Sequence, residues 1–348
     1  MWLLNHALFI LWAHLFFQPL QTLAHSFDVR NGTSALDEVV TQQESSDQLS
    51  IEKIYRGTVT QITSERLSLT QQNGQTIIIP LAKIRTIATP NFEKGEEGQN
   101  NFQGGQYSQA ITAWQLAYDL ESKNWRKEFL LQKQIQAHLA SDQYHYAGER
   151  FLELLELNGN SPYLGSAPLL WHTHFATQEM QRLANRCLYQ PEKPWQNLLG
   201  ASWLLATEGD RARPVLNQLS RSNDRQIALL AEMQLKRNKL ALLGEKDLPA
   251  WQENVARLHF ILRPGPLLVQ ASAEDKLKKE DQALVTLMTL LTLYPNEKHL
   301  GAEALLRSMK ITLRQGKRDQ AMRLYHELQI KYPTHYQTTE AKALLRLP

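Results

Sequence analysis

The spacing of apolar positions changes three times along this chain. Residues 2–17, from Trp2-Leu3-Leu4 to Leu15-Phe16-Phe17, are apolar apart from Asn5, His6 and His14, and residues 1–24 hold no Asp, Glu, Lys or Arg. Pro19 and then Thr22-Leu23-Ala24 follow, with small residues at the two positions a signal peptidase inspects. This predicts a signal peptide over 1–24, cleaved after Ala24, and an exported mature chain. The alternative is an uncleaved segment that holds the protein at a membrane, although the run is short of the roughly 20 residues a spanning helix needs. Residues 25–50 are polar without sustained period and predict a flexible linker.

From 51 to 89 the period falls to two. Tyr55, Gly57 and Val59 alternate with Arg56, Thr58 and Thr60, and Leu67 and Leu69 flank Ser68. Asn73-Gly74 is a hairpin turn, and Thr76-Ile77-Ile78-Ile79 and Ile84-Arg85-Thr86-Ile87 come after it. Four to five short strands fit here, as a small antiparallel β module of SH3-like kind that ends at Pro90. From 91 onward the period is 3.6, and the rest of the chain predicts an all-α domain.

One alanine marks each unit of that helical part: Ala110, Ala147, Ala212, Ala283 and Ala321. Four residues on stand Trp114, Phe151, Leu216, Leu287 and Tyr325; seven residues on stand Ala117, Leu154, Leu219, Leu290 and Leu328. Small, bulky and apolar residues at i, i+4 and i+7 share one helix face. The alanine lets a second helix approach, and the bulky side chain fills the groove one turn on. Pro295 and Pro333 follow the last two alanines at the same distance, each ending a helix.

Gly105, Tyr107, Ala110, Ile111, Trp114 and Ala117, with Leu199, Gly200, Trp203 and Ala212 further on, make the pattern resemble the tetratricopeptide repeat (TPR), an antiparallel helix pair of about 34 residues. The segment 268–345 is most similar to exported bacterial repeat proteins, among them the cell-division coordinator of the Tol-Pal envelope system. The resemblance implies a mostly α fold, a TPR-like solenoid of six or seven helix pairs. These fall into N-terminal pairs over 91–160, a degenerate helical region over 161–262 and C-terminal repeats over 263–348. Departures are Glu97 where a large apolar residue belongs, Pro214 inside a second helix, and Arg263-Pro264-Gly265-Pro266, which is expected to break the stack. A solenoid presents a concave surface lined by the first helix of each pair. Gln99, Phe102 and Gln103 at one end and Lys310, Leu313 and Arg314 at the other are then candidate partner-binding residues. The competing reading puts Phe102 and Leu313 in the core and the charged side chains on a solvated face.

Composition narrows the function further. Of 348 residues, 38 are Lys or Arg and 35 Asp or Glu, so a formal charge of +3 is too dilute for a surface that tracks phosphates, and no nucleic-acid partner is expected. Cys187 is the sole cysteine, which excludes an intrachain disulfide and a thiolate-rich zinc site; on a helix face it reads as a buried, inert thiol. His172 and His174 stand two apart with no carboxylate-rich partner segment, and no nucleophile elbow, His-Glu-x-x-His pair or phosphate loop occurs. The expectation is a non-enzymatic scaffold without metal or cofactor, associated with the cell envelope, that binds a protein or peptide partner. Alternatives are a β module that binds a cell-wall polymer, for which Tyr55 is its single ring, and an envelope hydrolase, which needs carboxylates converging in a cleft.

Overall fold

A computed structural model describes residues 27–44, 50–172, 176–190 and 192–345, so the proposed signal peptide and His174 lie outside the described residues. The chain divides between Pro90 and Asn91 into two compact units.

The first unit is a six-stranded mixed sheet in the order β1-β6-β2-β3-β4-β5. Its strands are β1 (Asp28–Asn31), β2 (Asp37–Glu44), β3 (Ser50–Ile62), β4 (Arg66–Thr70), β5 (Thr76–Pro80) and β6 (Ile84–Thr89). β1 runs parallel to β6, and the other neighbours are antiparallel. The long β3 pairs with β2 as far as Gly57 and with β4 from Thr58 onward, with a bulge between Val59 and Gln61. Gly57 sits at that change of partner because a Cβ there would overlap the Thr70 carbonyl. Val29, Val39, Val59, Leu67, Leu69, Ile79 and Ile87 form the core.

The linker expected over 25–50 is therefore corrected, because β1 and β2 lie within it. Both strands are half polar, and of their described side chains only Val29, Asp37, Val39 and Thr41 are buried, too few to show a period in a Gln- and Glu-rich stretch. Asp37 opens β2 with a buried carboxylate that accepts from the Val59 amide at 2.8 Å and from the Thr89 hydroxyl. That pairing ties β2 to β3 and β6 at once.

The second unit holds fourteen α-helices among the described residues. They are α1 (Glu93–Gln103), α2 (Tyr107–Leu120), α3 (Asn124–Ala140), α4 (Tyr144–Leu157), α5 (Gln178–Cys187), α6 (Pro194–Leu204) and α7 (Gly209–Leu219). After them come α8 (Arg225–Asn238), α9 (Leu248–Arg257), α10 (Pro264–Lys276), α11 (Glu280–Leu293), α12 (Lys298–Arg314), α13 (Arg318–Lys331) and α14 (Tyr336–Leu344). Consecutive helices pack as antiparallel pairs, α1 with α2, α3 with α4, α6 with α7, α10 with α11 and α12 with α13. This is a repeat-type α-solenoid. The region 161–262 holds α5 to α9. Of its two long gaps, the one before Ala283 contains the pair α8–α9, while the one before Ala212 contains an irregular connection and α5, which packs against α6.

All five anchor alanines are fully buried, and Trp114, Phe151, Leu216, Leu287 and Tyr325 are buried one turn on. Each large apolar side chain so placed contributes roughly 1.5–3 kcal/mol. Ala117 is half-buried, and the exposed Pro295 and Pro333 follow the ends of α11 and α13. Trp114 enters where Gly98 leaves room, and its indole donates to the Gly95 carbonyl at 3.0 Å.

One turn recurs. The residue five before the anchor alanine has positive φ in four repeats: Gly105 (74°), Asp142 (58°), Lys278 (61°) and Gly316 (71°). In each, the amide that follows reaches back to a carbonyl five residues earlier, as from Lys279 to Glu274 at 2.9 Å and from Lys317 to Thr312 at 3.0 Å. Pro214 lies inside a second helix as expected, and one expected interruption is corrected. α7 continues through Pro214. Residues 263–266 do not break the stack but start α10, where the prolines occupy the first turn and need no amide partner.

Candidate functional site

The first helices α3, α6, α10 and α12 are largely buried, whereas α1 buries only Gly95, Gly98 and Phe102. α3 buries fourteen of its seventeen residues and α6 ten of eleven. α6, α8, α10 and α12 pack in succession as an inner layer, and α12 then packs against α3, so the solenoid closes on itself. One of the polar side chains this buries is satisfied locally. Glu274 of α10 accepts from Gln252, Gln270 and Thr286 at 3.1, 2.9 and 2.7 Å.

The bore inside that layer is filled by the protein's own chain. The connection from α4 to α5 runs inward over residues 158–172 and touches α3, α6, α8 and α10. Asn158 donates to Glu128 at 3.1 Å, and Tyr163 meets Phe129 edge-on with centroids 6.1 Å apart. Further on, the main chain is held by side chains, as an extended peptide in a groove would be. The Leu170 amide donates to the Ser202 hydroxyl at 2.9 Å, and Gln234 at 3.0 Å and Arg237 donate to the Leu170 carbonyl. The Trp203 indole donates to the Pro168 carbonyl at 2.7 Å, and Trp171 lies against Gly265 with no room for a Cβ. Burial with carbonyl partners alone lowers the Arg237 guanidinium to about 10.

A polar cluster marks where the two ends meet. Tyr144 of α4 is in contact with the His172 and His299 rings, and Tyr107 of α2 meets His335 edge-on at 6.1 Å. Glu303 of α12 pairs with Arg307 at 2.6 Å and accepts from Tyr336 and Gln337 at 3.4 Å each. Burial lowers His299 to about 3 and His335 to about 4, so both rings are neutral. Burial pushes the Glu297 carboxyl the other way, up to about 7, against the pull of a Gln136 hydrogen bond and the Lys133 charge. Glu297, Gln136 and His299 line a cavity of about 30 Å³ beside Trp171, room for little more than a water.

The candidate partner-binding residues do not converge. Phe102 is 1% exposed, packed on Tyr107 and Trp114 with centroids 5.5 and 5.7 Å away, and is core. Leu313 is partly buried against the cluster around Ala321 and Tyr325. Lys310 pairs with Glu340 at 2.6 Å, and Arg314 pairs with Asp275 and Glu280. Gln99 is half-buried and Gln103 exposed. Phe102 and Leu313 pack inward and Lys310 and Arg314 are held in ion pairs, so these four side chains are not a free groove lining. Cys187 is buried, and desolvation raises its thiol to about 11, which leaves little thiolate. Among the described residues no group of three His, Cys, Asp or Glu is placed to hold a metal, and no helix is long and apolar enough to cross a membrane.

Exposed apolar side chains lie instead on the second helices of the pairs. Leu116 and Leu120 of α2 are 47% and 83% exposed, Tyr146 of α4 54%, Val285 of α11 57% and Ile330 of α13 80%. These outer-helix positions are apolar residues on the solvent side of each pair, away from the first helices that carry the six candidates.

The tetratricopeptide repeat family model matches residues 303–335, from the second turn of α12 through α13 to the turn before α14. No curated protein and no solved structure matches the chain.

Proposed function

We propose that this protein is a non-enzymatic scaffold that docks a protein partner on the outer helices of its repeat solenoid, in the cell envelope after export. The repeat match supports the protein-binding class, since helical repeats of this kind present surfaces for other chains. The observation that carries the placement is the filled bore. Residues 158–172 take the inner surface, while Leu120, Val285 and Ile330 keep apolar side chains in solvent on α2, α11 and α13. Export is supported by the uncharged apolar run over 2–17 and by the Leu23-Ala24 junction, and a membrane contact through that run if it is retained.

Two measurements test the reading. In-cell cross-linking followed by affinity capture of the full chain is expected to recover a partner that Val285→Asp or Ile330→Asp loses. Recovery unchanged in both variants removes the outer-helix surface. An alkaline phosphatase fusion after residue 50 is expected to be active, and an inactive fusion removes the export.

A further inference from the structure

Three imidazoles and three tyrosine rings gather where the ends of the solenoid touch. Tyr144 at the start of α4 has His172 and His299 beside it, with centroids 6.4 and 6.3 Å away. His335, in the turn between α13 and α14, stands edge-on to Tyr107 of α2 at 6.1 Å and to Tyr332 at 5.3 Å. It is 3% exposed, and neither of its ring nitrogens has a hydrogen-bond partner among the described residues.

The charges around these rings do not favour a further proton. His172 and His335 act on His299, and Lys298 acts on His335, each with positive charge. Glu303 faces His172 but is engaged by Arg307 at 2.6 Å, and by Tyr336 and Gln337. Asp142 faces Tyr144 and Tyr336, Glu340 faces Tyr336, Glu327 faces Tyr332, and Lys331 faces Lys298. Glu297, beside His299 in the chain, faces Gln136 and Lys133 of α3. The joint is also the contact the fold can part with. Consecutive helix pairs support one another side by side, whereas α3 and α12 are distant in sequence and touch because the stack closes. Separating them breaks no helix.

We infer that this joint is an acid-operated latch: protonation of His299 and His335 parts α12 and the turn before α14 from α2, α3 and α4, and the solenoid opens with its helices intact. The driving force is proton uptake. An imidazole held neutral in the closed joint takes a proton near its ordinary 6.5 once water reaches it. Each of the two therefore raises the ratio of open to closed protein by about tenfold per pH unit below 6.5. Glu297 acts against them, because its carboxyl keeps a proton up to about 7 in the closed joint and releases it on exposure above 4.5. Between 6.5 and 4.5 opening takes up one proton net from these three groups, which makes the rise about tenfold per unit.

The latch goes beyond the scaffold reading and does not depend on it. Double electron-electron resonance on the full-length protein tests it, with spin labels at Tyr146→Cys of α4 and Lys342→Cys of α14; both sites are exposed, and the buried Cys187 takes no label. One distance is expected at pH 7.5, and at pH 5 a second, longer one with the far-UV helix signal unchanged. The ratio of long to short is expected to grow about tenfold per pH unit below 6.5, more steeply in Glu297→Gln and with little pH dependence in His335→Leu. Glu297→Gln stays neutral where the closed joint holds a protonated carboxyl, and His335→Leu removes a ring with neither nitrogen partnered, so both are expected to fold. If one fails to fold, the slope of the other decides. A single distance from pH 7.5 to 5, a longer distance that arrives with loss of helix, or a slope that neither variant changes overturns the latch.

Discussion

Tyr144 in the first turn of α4 meets His299 in the first turn of α12 edge to face, with ring centroids 6.3 Å apart. The contact joins the second helix pair to the sixth and shuts the bore. It also buries imidazoles that must stay neutral. His299 and His335 have folded-state values of about 3 and about 4, against 6.5 unfolded. Their contribution is fully present above pH 6.5 and is lost as pH falls toward the folded values, because only the unfolded chain takes up the protons. Each group then costs about 1.4 kcal/mol per pH unit. The melting temperature is expected to drop from pH 6.5 to pH 5, with a shallower slope in His299→Gln. An equal slope in the variant would remove His299 as a source.

Glu297 works in the opposite direction, with a folded-state value of about 7 and an unfolded value of 4.5. Between these values the folded protein keeps a proton that the unfolded chain has released, so stability falls as pH rises from 4.5 through 7. Glu297→Gln removes the titration. The variant is expected to gain on the order of 2 kcal/mol relative to wild type on going from pH 4.5 to pH 8, read from urea midpoints at both. A constant difference across that range would contradict the assignment.

What the chain discloses before folding follows from how local each signal is. The anchor alanines and the bulky residues one turn on are legible because one helix pair sets their burial, and the β3–β5 meander is legible from alternation and Asn73-Gly74. The filled bore is not, since closure of α12 on α3 accumulates from a small rotation at each repeat and is written in none of them. The stretch 158–172, with its Gly, Ser and Pro residues, reads as an ordinary loop, because its partners Ser202, Gln234 and Arg237 lie far along the chain. Phe102 shows the same limit. Its place on a first helix suggested a groove, and the Tyr107 and Trp114 rings decide for the core.

Lys278 stands where two of its counterparts are glycine, at φ 61°. A side chain in the left-handed region costs about 1–2 kcal/mol, and the Lys279-to-Glu274 bond holds the turn there regardless. Lys278→Gly is therefore expected to stabilise the protein by about 1 kcal/mol, net of the added freedom of the unfolded chain. A lower melting temperature in the variant would show that the turn tolerates the lysine without strain.

Gly265 decides whether residues 158–172 stay inside. It lies in the first turn of α10, between two prolines that fix the backbone, and the Trp171 indole rests on it where a methyl group would overlap Nε1 and Cδ1. Pro264 and Pro266 leave the helix little room to retreat, so in Gly265→Ala the indole must move instead. Trp171 is continuous with Leu170, whose amide and carbonyl are the points of attachment to α6 and α8, so moving the ring loosens the clamp on the segment. Overpacking of this kind costs about 1–3 kcal/mol. The expected result is chymotrypsin cleavage at Tyr163, Leu170 or Trp171 under conditions where wild type stays whole, with the far-UV spectrum of the helices retained. A variant as resistant as wild type would mean that the segment is held by Ser202, Trp203, Gln234 and Arg237 without help from Trp171.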